Sequence, residues 1–152
     1  MKHYFVSVFT ALTLAVLASQ ALAAADRFAD VNITTQQVAE NVYMLRGAGG
    51  NIGVSSGADG TLIIDDQYAP LADRIEAALQ ALGGGRPRIV LNTHYHGDHT
   101  GSNAEFGRSG VIIAHDNVRA RLLSREGLSA SALPLVTYAE SVTIHFNGDE
   151  LL

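Results

Sequence analysis

Residues 88–103 read RIVLNTHYHGDHTGSN, and this stretch decides how the rest of the sequence is interpreted. Its first four residues, Arg88 to Leu91, predict a short buried strand. Three of the chain's six histidines and one aspartate then follow within six positions, in the pattern H-x-H-x-D-H. Because loops that follow a buried strand commonly form the sites of α/β sheets, we expect these side chains to belong to a functional site.

The four side chains in this pattern are potential metal ligands: His94, His96, Asp98 and His99. The chain has no cysteine, so any metal must use imidazole nitrogens and carboxylate oxygens, which suit Zn²⁺ when thiolate is absent. Gly97 allows a sharp turn that lets the side chains on either side converge. A polar surface turn is the alternative interpretation, but four donors at this spacing favour a metal site, with room for more than one ion.

The first 25 residues differ in character from the rest. Lys2 gives a positive start, Tyr4 to Ala18 is an apolar run, and Ala21-Leu22-Ala23 has the small-x-small pattern that signal peptidase accepts. We expect residues 1–23 to be a signal peptide, cleaved between residues 23 and 25, and the mature protein to be periplasmic or secreted. An uncleaved anchor is less favoured, because the run is short for a bilayer span and no basic residue follows it.

The composition excludes several classes of function. With 47% hydrophobic residues and a net charge of −5, the chain is expected to fold around a packed core. Its single lysine is Lys2, so a mature chain would lack the lysine of Schiff-base chemistry and of P-loops. Acidic residues outnumber basic ones by fifteen to ten, which argues against nucleic acid as a partner.

The remaining sequence divides into short elements that predict a layered α/β arrangement. A hairpin is expected around Gly57-Ala58-Asp59-Gly60, and residues 94–103 are expected to be a loop that includes at most a short helical segment. Strands are predicted at 38–46, 52–55, 61–64, 88–91 and 111–114, with helices at 71–82 and, capped by Asp116 or Asn117, to about Arg125.

The end of the sequence predicts a second hairpin. Apolar residues alternate with polar ones over residues 142–146, Asn147-Gly148 is a strong hairpin signal, and residues 149–152 begin a return strand. The alternation places His145 on the solvent side. His115 is expected to end a buried strand or to cap the next turn. Neither histidine is therefore expected to be a metal ligand.

Two further features are interpreted as structural and not as parts of a functional site. Tyr95, inside the histidine-rich loop, could line a pocket, but an aromatic ring there is more typical of packing. The arginines at positions 119, 121 and 125 predict a solvated helix face.

The sequence resembles the metallo-β-lactamase-fold metallohydrolases. The resemblance rests on THYHGDHTGSN at 93–103, on LIIDDQ at 62–67 as a strand that ends in an aspartate, and on the strand-rich start before one helix. It implies an α/β fold, the N-terminal half of an αββα sandwich, preceded by the signal peptide. Residues 24–152 would then form a partial metallo-β-lactamase-like domain.

The resemblance also implies roles for individual residues. His94 and His96 would bind one zinc ion, and Asp98 and His99 a second, with Asp98 also orienting the metal-bound hydroxide. Asp65 would orient the loop from behind the ligands. The implied reaction is hydrolysis of an ester, thioester, lactone or β-lactam in a small-molecule substrate.

The departure from the family pattern is also informative. The complete family site needs a further histidine, a bridging aspartate and a final histidine on later strands, which this sequence does not supply. We therefore expect the first half of a longer enzyme, with weak metal binding and negligible turnover on its own. The alternatives are a non-catalytic metal-binding module and an iron-dependent oxygenase of a sulfur substrate. No stable membrane association is expected after signal cleavage, and the oligomeric state is left open.

Overall fold

The structure, a computed structural model, describes residues 27–152. The predicted signal peptide and its cleavage positions lie outside the described residues. The described residues belong to two units, residues 27–31 to the first and Asn32–Leu152 to the second. In the first, the Val31 N–H donates to the Phe28 carbonyl at 3.1 Å; every element below belongs to the second. Among residues 27–152, no helix is long and apolar enough to cross a bilayer.

Seven strands form one mixed sheet in which spatial order follows chain order. The first four strands pair antiparallel, and the fourth to the seventh pair parallel. A separate two-stranded hairpin follows them. The strands are β1 (Thr34–Ala39), β2 (Val42–Arg46), β3 (Ile52–Gly57), β4 (Gly60–Ile64), β5 (Ile89–Asn92), β6 (Val111–His115), β7 (Val136–Tyr138), β8 (Ile144–Phe146) and β9 (Asp149–Leu151).

Helical segments connect the parallel strands, as crossover connections require. A 3₁₀ turn and a ten-residue helix lie between β4 and β5, two one-turn helices between β5 and β6, and an eight-residue helix and a second 3₁₀ turn between β6 and β7. The α-helices are α1 (Ala72–Ala81), α2 (Gly97–Thr100), α3 (Asn103–Phe106) and α4 (Asp116–Leu123), and the 3₁₀ turns are Ala69–Leu71 and Ala130–Ala132.

The buried side chains follow the predicted periodicities. The central strands bury Leu62, Ile63 and Val90, as expected for strands covered on both faces. In α1, Ile75 and Leu79 are buried at the helical spacing that predicted this element. The core is thus built mainly from the middle of the sheet, and this fixes the strand ends from which the polar loops emerge.

Two sequence predictions need correction. The strand predicted over residues 38–46 is two strands, since β1 ends at Ala39 and β2 begins at Val42. All six residues of β1 are exposed, so the strand has no apolar face that could have revealed it. Residues 94–103 are not simply a loop, because α2 and the start of α3 lie within them.

His115 and His145 lie as expected, but the predicted cap of the helix after β6 was wrong. Helix α4 is capped by His115, whose Nδ1 accepts from the Asn117 N–H at 3.0 Å, and not by Asp116 or Asn117. The His145 side chain is 76% exposed on β8. Asn147 and Gly148 form the turn of the predicted hairpin, with φ of 54° and 84°, as a type I′ turn requires.

Candidate metal site

The histidine-rich loop emerges at one edge of the sheet beside the end of β4. Parallel pairing of Ile64 with Leu91 brings the residue after β4, Asp65, next to the residue after β5, Thr93. Asp65 has a φ of 64°, a left-handed conformation that aspartate tolerates better than most residues. The chain therefore turns at this point with the carboxylate facing the loop.

The buried Asp65 carboxylate accepts three hydrogen bonds from the loop. The Thr93 N–H donates at 2.8 Å, the Thr93 hydroxyl at 2.7 Å, and Nδ1 of His99 lies at 2.7 Å. A hydrogen bond to the carboxylate places the imidazole proton on Nδ1 and leaves Nε2 as a lone-pair donor on the opposite side of the ring. Asp65 thus lies behind the loop and is hydrogen-bonded to Thr93 and His99.

The predicted ligands meet in two pairs. Nε2 of His94 lies 3.1 Å from Nδ1 of His96, and Nε2 of His99 lies 3.3 Å from Oδ2 of Asp98. Two donors on a tetrahedral zinc ion, with bonds of 2.0 to 2.1 Å, are about 3.3 Å apart. The rings of His94 and His99 are 3.9 Å apart between centroids, so the two pairs adjoin. The separations and the nitrogen and oxygen donors fit zinc.

The pairing is the one that the family resemblance implied, but each pair supplies only two donors. In residues 27–152, no group of three or more histidine or acidic side chains is placed to hold one ion. His115 and His145 take no part, because one caps a helix and the other is exposed on the hairpin. Metal ligation by the two pairs remains a prediction.

A glycine-rich loop between β2 and β3 forms one wall of this region. A Cβ built on Gly50 would lie 2.4 Å from Cε1 and 2.8 Å from Nε2 of His99, and one on Gly49 would lie 2.6 Å from Cβ of Asp98. Side chains at these positions would occupy the space of the second ligand pair. The side-chain amide of Gln67 holds this wall by donating to the Gly50 carbonyl at 2.6 Å.

Asp66, the neighbour of Asp65, faces the interior and supports the second half of the loop. Its N–H donates to the His99 carbonyl at 3.1 Å, and its Oδ1 accepts from the Ser102 N–H at 3.0 Å. Its other oxygen, Oδ2, is buried without a hydrogen-bond partner in the described part of the chain. Burial raises the pKa of this carboxyl well above its usual range, and the adjacent Asp65 carboxylate adds to the rise.

Tyr95 packs as predicted, and the arginines near it correct another expectation. The ring packs against the cluster of Ala114, Val118 and Leu122. The guanidinium of Arg121 lies 4.6 Å from the centre of the ring, and Arg125 donates to the Tyr95 carbonyl. These arginines therefore hold the loop against α4 and are not simply a solvated face. Sequence periodicity on α4 could not show this, since the partner lies outside the helix.

One comparison with known proteins identifies a family. The model of the metallo-beta-lactamase superfamily matches residues 36–131. A search of curated proteins gave no match. The matched segment spans most of the sheet together with the histidine-rich loop, which is the part of the chain on which the resemblance rested.

Solved structures share the fold. A subclass B3 metallo-beta-lactamase of Bradyrhizobium japonicum is 20% identical with a TM-score of 0.67, covering 78% of this chain and 50% of that one. A class B3 di-zinc metallo-beta-lactamase from an Alaskan soil metagenome is 19% identical with a TM-score of 0.66, covering 80% and 51%. A metallo-beta-lactamase from Legionella gormanii is 14% identical with a TM-score of 0.68, covering 78% and 51%. The likeness confirms the predicted α/β fold class, and the chain spans about half the length of these structures.

Proposed function

Because the chain belongs to the metallo-β-lactamase superfamily, we propose that its histidine-rich loop binds zinc for hydrolysis of a small molecule. The proposed substrates contain an ester, thioester, lactone or β-lactam bond. The main support is that the two donor atoms within each pair lie 3.1 Å and 3.3 Å apart, which matches the distance between two donors on one zinc ion.

Each side chain has a defined part in this proposal. His94 and His96 bind one ion through the nitrogens that face each other, and Asp98 and His99 bind a second. When bound, zinc supplies a hydroxide at neutral pH and polarises the scissile carbonyl. Asp98 orients this hydroxide through its carboxylate. Asp65 keeps the His99 proton on Nδ1, so that Nε2 stays available as a ligand.

We further propose that the 152-residue chain alone binds metal weakly and has negligible turnover. Catalytic zinc is commonly held by three protein ligands, whereas each pair here supplies two. The same observation favours the second candidate, a metal-binding module without catalysis. An iron-dependent oxygenase of a sulfur substrate is a third outcome that metal analysis separates from both.

The first experiment combines metal analysis with a substrate panel. The purified chain is loaded separately with zinc and with iron, and then assayed with β-lactam, lactone and thioester substrates and for oxygen consumption. We expect zinc binding, lost in His96→Ala and kept in His145→Ala, with turnover near background. The control suits the purpose because His145 is exposed on β8.

The possible results distinguish between the candidate functions. Robust hydrolysis that His96→Ala abolishes supports a hydrolase but contradicts the proposed weakness of the chain. Bound zinc without turnover is the expected result for this chain; the same result in a full-length protein would favour the metal-binding module. Oxygen consumption with iron favours the oxygenase, and no binding of either metal overturns the proposal.

The location of the protein is also a proposal. The pattern of residues 1–23 supports export to the periplasm or beyond the cell. Mass spectrometry of the mature protein is expected to find its N-terminus between residues 24 and 26, and an intact Met1 would contradict export by cleavage.

A further inference from the structure

Two buried asparagines close the base of the histidine-rich loop. Asn92 ends β5 before the loop, and Asn103 begins α3 after it; their exposed fractions are 2% and 0%. Nδ2 of Asn92 donates to Oδ1 of Asn103 at 3.0 Å, and Nδ2 of Asn103 donates to Oδ1 of Asn92 at 2.9 Å. We call this reciprocal amide pair the asparagine clasp.

The clasp uses every N–H of both amides. The second N–H of Asn92 donates to the His99 carbonyl at 3.2 Å, and the second N–H of Asn103 donates to the Ala132 carbonyl at 3.0 Å. Turning either amide over would set its oxygen against a carbonyl oxygen, in a place that water does not reach. Each asparagine therefore fixes the orientation of the other, and a fully satisfied buried network of this kind is rigid.

The clasp acts on one ligand in particular. The His99 carbonyl accepts from the Asn92 amide and from the Asp66 N–H, while the His99 ring is held by Asp65. His99 is thus fixed at its backbone and at its ring. By contrast, within residues 27–152 the side chains of His94 and His96 form hydrogen bonds only with each other and with Thr93.

We propose that Asn92 is a positioning residue for the zinc ligand His99, and that Asn103 locks Asn92 in the orientation that this requires. The inference rests on the proposed function, since it concerns the same metal site. Asn92 contacts no metal or substrate; it acts through the backbone of His99, placing Nε2 beside Oδ2 of Asp98 before metal arrives. Removal of such supporting contacts commonly costs 10- to 100-fold in metal affinity.

The test is a double-mutant cycle on zinc affinity, measured by competition with a chromophoric chelator. Asn92→Asp keeps the size of the side chain but removes both N–H donors, and we expect at least a tenfold loss of affinity. Asn103→Ala is expected to give a smaller loss, and the double variant is expected to bind no more weakly than Asn92→Asp alone, because the two residues act as one unit. Thr61→Ala is the matched control: Thr61 is also buried, but it lies at the start of β4, the end away from Asp65, where its hydroxyl accepts from the Gly85 N–H.

A structural role alone would lower the stability of the variants without changing zinc affinity in those that fold. Equal affinities in the folded variants, or purely additive losses, would overturn the proposal. If the native chain binds no zinc, the proposed function fails first, and the positioning role fails with it.

A second measurement judges the clasp even if the variants do not fold. In a ¹⁵N-labelled native chain without metal, the side-chain amide protons of Asn92 and Asn103 should exchange with solvent far more slowly than those of exposed asparagines such as Asn117. Exchange at the rate of Asn117 would show that the clasp is open and would overturn the proposal whatever the metal affinity is.

Discussion

At the scale of single residues, two neighbouring aspartates have opposite environments. The Asp65 carboxylate accepts three hydrogen bonds and faces the ligand loop, whereas Asp66 faces the interior with one oxygen unpartnered. The two carboxylates therefore have different roles: Asp65 supports the candidate ligand His99, whereas Asp66 is a buried carboxyl group with one unpartnered oxygen. The two positions give two different predictions.

Asp65→Asn is predicted to weaken zinc binding 10- to 100-fold. An amide cannot supply acceptors at both oxygen positions, so either Thr93 or His99 loses its partner, and the His99 ring is no longer held in one tautomer. Isothermal titration with zinc measures the effect. The control is Asp116→Asn, which changes an exposed carboxylate at the start of α4. Equal affinities for the two variants would contradict the role given to Asp65.

Asp66→Asn is predicted to stabilise the metal-free chain at pH 7, since an amide cannot ionise in an interior that disfavours the charged carboxylate. Because the pKa of Asp66 is raised in the folded state, its contribution to stability is fully present below the ordinary carboxyl pKa and is lost as the pH rises through the raised value. The gain of the variant should therefore be larger at pH 7 than at pH 4.

Urea unfolding at both pH values, with a chelator present, measures this difference. A variant that is less stable than the native chain at pH 7, or a gain that does not depend on pH, would contradict the account of Asp66.

At the scale of elements, the candidate site forms where the loop between β2 and β3 contacts the histidine-rich loop that follows β5. The side-chain amide of Gln67 holds the β2–β3 loop by donating a hydrogen bond to the Gly50 carbonyl. Because Gly50 has no side chain, the His99 ring can occupy the space beside it. Residues with no ligand chemistry of their own thus determine whether the second donor pair can form.

Gly50→Ala is predicted to displace the His99 ring and to lower zinc affinity about tenfold, with a loss of 1 to 3 kcal/mol in stability, roughly the cost of overpacking. Gly85→Ala is the matched control, because a Cβ there has no atom within 4 Å. Zinc titrations and urea unfolding of both variants provide the comparison. Unchanged zinc affinity in Gly50→Ala would mean that the loop does not confine His99.

The elements also show what the sequence could predict. The candidate ligands could be proposed because the four side chains lie within six positions, and α1 could be predicted because Ile75 and Leu79 repeat at helical spacing. β1 was not visible, since its six residues are all exposed and its identity depends only on backbone pairing with β2. Contacts between distant residues, such as Gly50 with His99, leave no local pattern and needed the fold.

At the scale of the whole molecule, zinc should couple to folding. Asp65 belongs to the end of β4, and the four proposed ligands belong to the loop after β5, so metal held by the loop favours the paired state of these strands. Metal that binds only the folded chain raises the free energy of unfolding by about 2.7 kcal/mol when the free metal concentration is 100 times Kd.

We predict that saturating zinc raises the thermal midpoint of the native chain and that a chelator reverses the rise. The variant His94→Ala with His99→Ala, which removes one ligand from each pair, should show no rise. An equal rise in this double variant would mean that the stabilising zinc binds elsewhere.

The most direct test of the metal site is the zinc X-ray absorption spectrum of the zinc-loaded chain. We predict nitrogen and oxygen neighbours at about 2.0 to 2.1 Å, with outer-shell imidazole scattering that falls in His96→Ala and is unchanged in His145→Ala. A shell of oxygen atoms without imidazole scattering, or a spectrum that His96→Ala does not alter, would contradict the central claim that the loop at residues 93–103 is a zinc site.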